Sequence, residues 1–263
     1  MPSPRTILHS LAAAAVTAAF LGSGTAMAAS NIWIDDSSGD IGIVNSATGA
    51  VTSIGNAGVT LTDIAFDPGA NLWGISFGSL YTINTGTGLA TSVGALGASL
   101  NGLTFGSDGT LYGSGGTGVY TINTGTGAAT LIGTGTGLTK GSAGDLAFNN
   151  GILYEAVTDG TNSDLASINP ITGLGALIGQ MATDSGVYGL VTGDDGQLYA
   201  VDGTKVYTVN TVSGALTNTS DYLGNGLGAA YGAAAVQEAP EPASIAILGL
   251  GLGGLAAIRR RRR

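Results

Sequence analysis

The sequence contains no cysteine, one histidine and six prolines among 263 residues. Without thiols there are no disulfides, no Cys–His nucleophile and no thiolate metal site. The single histidine, His9, falls within the first ten residues, in a segment expected to be removed. The remaining chain therefore cannot build a Ser-His-Asp triad or an imidazole-ligated zinc, copper or haem site. Basic side chains are nearly as scarce. Arg5 lies near the start, Arg259, Arg260, Arg261, Arg262 and Arg263 close the chain, and only Lys140 and Lys205 stand between them, against 17 acidic residues from Asp35 to Glu241. A body of net charge near −15 repels phosphate backbones, so nucleic acid is not an expected partner. Charged residues make up 10% and hydrophobic residues 44% of the chain, which excludes disorder driven by charge excess. The 47 glycines follow no three-residue period, so the chain is not collagen-like. No phosphate-binding Gly-Lys-Ser/Thr loop occurs, and the Gly-Thr-Gly pieces do not open helical patterns.

What is present begins at the two ends. Arg5 precedes an almost uninterrupted apolar stretch, Leu11 to Leu21, and Ala26-Met27-Ala28 follows it. A basic start, a short apolar core and an Ala-x-Ala site form a secretory signal peptide over residues 1–28, with signal peptidase expected to cut after Ala28. At the other end, residues 237–263 contain Pro240-Glu241-Pro242, an uncharged run over 243–258 and the arginine cluster 259–263. The run of 16 residues measures about 24 Å as a helix, and flanking arginines can snorkel to cover the shortfall against a bilayer. The arginines orient such a transmembrane helix with its C-terminus in the cytoplasm and the body outside, in agreement with the signal peptide.

Pro-Glu-Pro, an apolar helix and terminal arginines, in that order, resemble the PEP-CTERM sorting signal, a tail also known as the ice-binding protein C-terminal domain. The resemblance covers the last two dozen residues or so. It implies that the membrane enzyme exosortase processes the tail near Pro240, Glu241 and Pro242, in a Gram-negative bacterium that makes exopolysaccharide.

Residues 29–236 repeat. An apolar–aromatic pair recurs at Ile32-Trp33, Leu72-Trp73, Leu111-Tyr112, Leu153-Tyr154 and Leu198-Tyr199. Asn45, Asn84, Asn123, Asn169 and Asn210 follow, each leading into a Thr-Gly or Ser-Gly turn. Four of the next segments end in glycine (Gly55, Gly94, Gly133, Gly179), and alternating segments such as Asp63-Ile-Ala-Phe66 complete each unit. Period-2 alternation between Asn/Gly turns predicts short strands. The asparagines are 39, 39, 46 and 41 residues apart, which matches the four-stranded blade of a propeller at about 40–45 residues. The expected fold is an all-β propeller of about five blades. Its first sheet would be completed by a strand near Leu227 to Val236, because the mature chain starts with a second strand and a ring leaves no open edge. The pattern resembles NHL-type and YncE-like propellers, in which the Asp-Ile-Ala-Phe type of strand is innermost.

Carboxylates are the remaining source of chemistry. Asp63 and Asp145 share one repeat position, with Gly102 and Gly189 in its other copies. They are the candidates for an oxygen-ligated calcium ion, set against the plainer reading of Asp as a turn cap. Asp35–Asp40 and Thr158–Asp164 are read as solvated turns, since neither follows the EF-hand order. The in-register aromatics are read as packing between blades and not as a sugar platform. No catalytic residue and no cofactor is expected. The expectation is an exported, non-catalytic propeller with a structural or binding role in the cell surface, biofilm or exopolysaccharide. Exosortase and signal peptidase would process it, and polysaccharide or surface proteins would be its partners. The alternative is a calcium-dependent binder or a lactonase-type hydrolase using channel carboxylates. A third possibility is a passenger whose role is set by the tail alone.

Overall fold

A computed structural model describes residues 29–133, 138–182 and 186–236. The signal peptide with Ala28, the processing residues Pro240, Glu241 and Pro242, the apolar run and the five arginines lie outside the described residues. Among the described residues no helix is long and apolar enough to cross a membrane.

Twenty strands form five antiparallel four-stranded sheets. β4 (Asp63–Phe66), β8 (Gly102–Phe105), β12 (Gly141–Asn149) and β16 (Val187–Thr192) are the inner strands of blades 2 to 5. Each is followed in order by three further strands, out to β7 (Ala90–Ala95), β11 (Ala129–Gly133), β15 (Gly175–Met181) and β19 (Leu216–Asp221). Blade 1 is composite. Its inner strand is β20 (Ala230–Ala234), paired with β1 (Asn31–Asp36), and β2 (Asp40–Asn45) and β3 (Val51–Asn56) lie outside. Trp33 pairs with Ala234 and Asp35 with Gly232. The two ends of the body thus close one sheet, as the phase of the repeat predicts, and the inner strands contact one another around the ring.

The asparagine turns form for local reasons. Asn45 Oδ1 accepts from the backbone N–H groups of Ala47 and Thr48, and Gly49 at φ +67° donates to the Asn45 carbonyl at 2.9 Å. The same bonds recur at Asn84, Asn123, Asn169 and Asn210. Four of the five turns dock on a glycine near the end of the preceding blade's outer strand, and the first, at Gly49, docks on Asp221 instead. A Cβ on Gly55 would overlap the Thr87 carbonyl, and one on Gly94 that of Thr126. Two motifs some 30 residues apart in the repeat therefore meet across a blade boundary, which explains why both recur.

The aromatics also pack between blades. Trp33 meets Phe66 with ring centroids 5.3 Å apart, Trp73 meets Phe105 at 6.1 Å, and Tyr112 meets Phe148 at 5.5 Å. In each pair the first ring belongs to the second strand of one blade and the second to the inner strand of the next. Edge-to-face and tilted rings contribute beyond the area they bury. The series stops where the phenylalanine position becomes Thr192 in blade 5 and Ala235 at the end of blade 1.

Candidate functional site: the central channel

The inner strands surround a channel with two unlike layers. At the start of these strands lies a ring of Asp63, Gly102, Asp145, Gly189 and Gly232, and Asp63 and Asp145 are fully buried. Asp63 Oδ2 accepts from the Leu103 N–H at 2.5 Å and Oδ1 from the Ile64 N–H at 2.7 Å. Asp145 Oδ2 accepts from the Leu190 N–H at 2.6 Å and Oδ1 from the Leu146 N–H at 2.6 Å. Each carboxylate thus joins its own inner strand to the next one in the ring. The two acids also hydrogen-bond to each other. Burial, first of all, pushes both well above the usual carboxylate range, because a charge removed from water is costly without a counter-charge. The two candidates do come together, but as ties between blades and not as caps of tight turns.

A third acid joins them that sequence reasoning did not single out for the channel. Asp35, at the end of β1, is fully buried, and neither of its carboxylate oxygens has a hydrogen-bond partner. A Cβ on Gly232 would lie 2.6 Å from Asp35 Oδ1 and would overlap Asp63, so glycine there makes room for two acids. Desolvation, reinforced by neighbouring Asp36, pushes the Asp35 pKa up to about 8. The repeat carries the signal. The position two residues after the aromatic is Asp35 in blade 1, but Ile75, Ser114, Ala156 and Val201 in the other blades. Glu155 departs from its column in the same way, where the other blades have Ile34, Gly74, Gly113 and Ala200. It is buried, hydrogen-bonded to Ser114 and Ser142, and its pKa is pushed up to about 7, chiefly by desolvation.

The acidic turns need a correction. Asp35, Asp36 and Asp164 are buried and not solvated. Asp36 Oδ1 accepts from the Ser38 and Asp40 N–H groups and its Oδ2 from Gly228 N–H at 2.7 Å, which ties the β1–β2 hairpin to the approach to β20. Asp164 forms an ion pair with Lys140, which also reaches Asp159 at 3.2 Å. Among the described residues no group of three or more His, Cys, Asp or Glu side chains is arranged to hold a metal ion. The oxygens of Asp63 and Asp145 are already engaged by backbone donors.

Toward the ends of the inner strands the channel widens into a cavity of about 380 Å³. Ala65, Thr104, Ala147, Val191 and Ala234 form its inner wall, and Phe105, Phe148 and Pro68 stand at its mouth. The wall is apolar with few polar groups, the usual character of a small-molecule cleft. Its mouth is uneven, aromatic on blades 2 to 4 and lined by Thr192 and Ala235 on blades 5 and 1.

The tail has a recognised counterpart. A family model described as the PEP-CTERM protein-sorting motif matches residues 238–263. The chain carries a PEP-CTERM sorting motif. The motif implies processing by exosortase and an exported, membrane-anchored precursor sorted to the cell surface. No curated protein matches the sequence. Among solved structures, a chain of a nidogen/laminin complex aligns with TM-score 0.50 at 15% identity, over 69% of this chain and 74% of that one. A symmetrical protein from work on de novo evolutionary emergence aligns at 0.49 and 18% identity, over 73% and 93%. A putative TolB from Agrobacterium tumefaciens aligns at 0.46 and 15%, over 73% and 70%. At these identities the likeness concerns the fold alone.

Proposed function

We propose that the PEP-CTERM tail delivers a non-catalytic β-propeller to the cell surface or extracellular matrix, where the ring serves a structural or binding role toward exopolysaccharide or surface proteins. The observation that carries this reading is the use made of Asp63 and Asp145. Each spends one oxygen on a backbone N–H of its own strand and the other on one of the next blade, so this pair is tied up in holding the ring together and is not poised as base or nucleophile. Signal peptidase would cut after Ala28 and exosortase near Pro240-Glu241-Pro242. Intact mass of the chain recovered from the surface and medium of its host tests the sorting half. A species running from Ala29 to about Pro242 is expected, and one that retains 243–263 contradicts it. Co-sedimentation of the processed chain with the host's extracted exopolysaccharide tests the binding half, and a chain that stays in the supernatant with both polysaccharide and surface-protein fractions overturns it.

The rival reading, a calcium-dependent binder or lactonase-type hydrolase, is favoured by one observation, the unpartnered carboxylate of Asp35 beside Asp63. A calcium-dependent rise in melting temperature, absent in Asp35→Asn, would support it.

A further inference from the structure

We infer that in the membrane-anchored precursor the ring is held with the mouth of its central cavity toward the bilayer, so that the cavity is covered until the tail is cut. The inference rests on the reading that residues 243–258 sit in the membrane. Its own basis is the point where the chain leaves the fold. β20 is an inner strand that runs from the carboxylate layer toward the mouth, and Ala233, Ala234 and Ala235 line the cavity itself. The chain therefore departs beside the ring's axis and at its mouth end. Six residues separate Val236 from Ala243, and with the step into Ala243 they span at most about 24 Å when fully extended. A blade of four strands at about 4.8 Å spacing places its rim roughly 15–20 Å from the channel. A tether of that length is largely consumed in reaching the rim and cannot also pass round the ring to let the other end face the bilayer.

The N-terminal end of the body emerges at the same end. β1 runs antiparallel to β20, and Ser30, just before it, bonds through its hydroxyl to Asp194 Oδ1 at 2.6 Å, in the turn that follows β16. Both processing sites are thus attached to one end of the ring. The charge there favours tethering without adhesion. Turns at the mouth end carry Asp67, Asp108, Asp194 and Asp195 and, among the described residues, no lysine or arginine; Lys140, just ahead of β12, and Lys205, which opens β18 (Lys205–Val209), lie at the opposite end together with Asp40, Asp159, Asp164, Asp202 and Asp221. Anionic headgroups attract basic segments and repel acidic ones, so only the tail holds this face to lipid, and cutting the tail frees it.

The absence of cysteine makes a clean test possible. Full-length chains carrying Ser107→Cys at the mouth rim or Phe77→Cys at the opposite hairpin, each with one donor dye, are reconstituted into phosphatidylethanolamine/phosphatidylglycerol vesicles with a headgroup acceptor dye. Both sites are exposed. The Ser107 label is expected to transfer energy more efficiently than the Phe77 label, and the difference should vanish when the tail is removed by an inserted protease site before Ala243. Equal transfer, or stronger transfer from the Phe77 label, in protein that floats with the vesicles overturns the orientation. Protein that does not float at all would instead overturn the reading of the tail.

Discussion

The two layers of the channel are built from the same strands two residues apart, yet they differ in almost every physical respect. At the Asp63 level the channel is closed, polar and crowded, with glycine wherever an acid leans across. At the Ala65 level it is apolar and open. The upper layer can be polar because each of Asp63 and Asp145 replaces lost water with two backbone donors. The lower layer needs no such compensation, and small side chains leave it hollow. Position in the channel, and not residue type alone, decides whether a repeat column holds the ring together or leaves room for a guest.

Substitutions should separate the two layers. The largest effect is expected from Asp63→Ala, which leaves the buried N–H groups of Leu103 and Ile64 without acceptors; each unsatisfied group costs about 1–3 kcal/mol, and urea unfolding should show a loss of about 3 kcal/mol. Gly232→Ala follows, at about 2 kcal/mol, because its new methyl overlaps Asp63 in a layer where overpacking costs about 1–3 kcal/mol. Phe105→Ala at the mouth should cost less, about 1–2 kcal/mol, since the ring is only half-buried and its partner Trp73 remains. The readout is a red shift in tryptophan fluorescence with the ring still closed. Val212→Thr, on an exposed turn tip, should change stability by less than about 0.5 kcal/mol. If Phe105→Ala proved more damaging than Asp63→Ala, the ranking of the two layers would be reversed.

Much of the ring was legible in the sequence because its signals are local or strictly periodic. The Asn-x-x-Thr-Gly turns carry their own hydrogen bonds, and the alternation of strands such as Leu80-Tyr-Thr-Ile-Asn84 gives the period. The phase of the first unit required a C-terminal strand for closure, and β20 supplies it although Ala-Tyr-Gly-Ala-Ala barely resembles Asp-Ile-Ala-Phe. The channel was less legible. Asp63 and Asp145 stood out because they share a column, but their partners are backbone groups of the next blade, about 40 residues away, which no local pattern reveals. Asp35 was read as part of a solvated loop because it sits beside Asp36, Ser37 and Ser38. Only alignment of the five second strands shows that it occupies an otherwise mostly apolar column. The terminal sorting signal was readable because its three parts depend on composition and order and not on contacts.

In the folded ring the buried acids Asp35 and Glu155 are held in protonated form. Asp35, with its pKa pushed up to about 8, and Glu155, pushed up to about 7, each hold a proton in the folded state that the unfolded chain loses near pH 4. Their contribution to stability is complete below that pH and is lost as pH rises through 7 and 8. Asp67, Asp108, Asp159 and Asp221, lowered by hydrogen bonds from their turns, lose their contribution only at pH values below about 4. The direct measurement is the melting temperature of the wild-type body and of Asp35→Asn at pH 5 and pH 8, with and without millimolar calcium. A higher melting temperature at pH 5 than at pH 8, a smaller difference in Asp35→Asn, and no response to calcium are expected. A wild-type body that is more stable at pH 8, and only when calcium is present, would contradict this expectation.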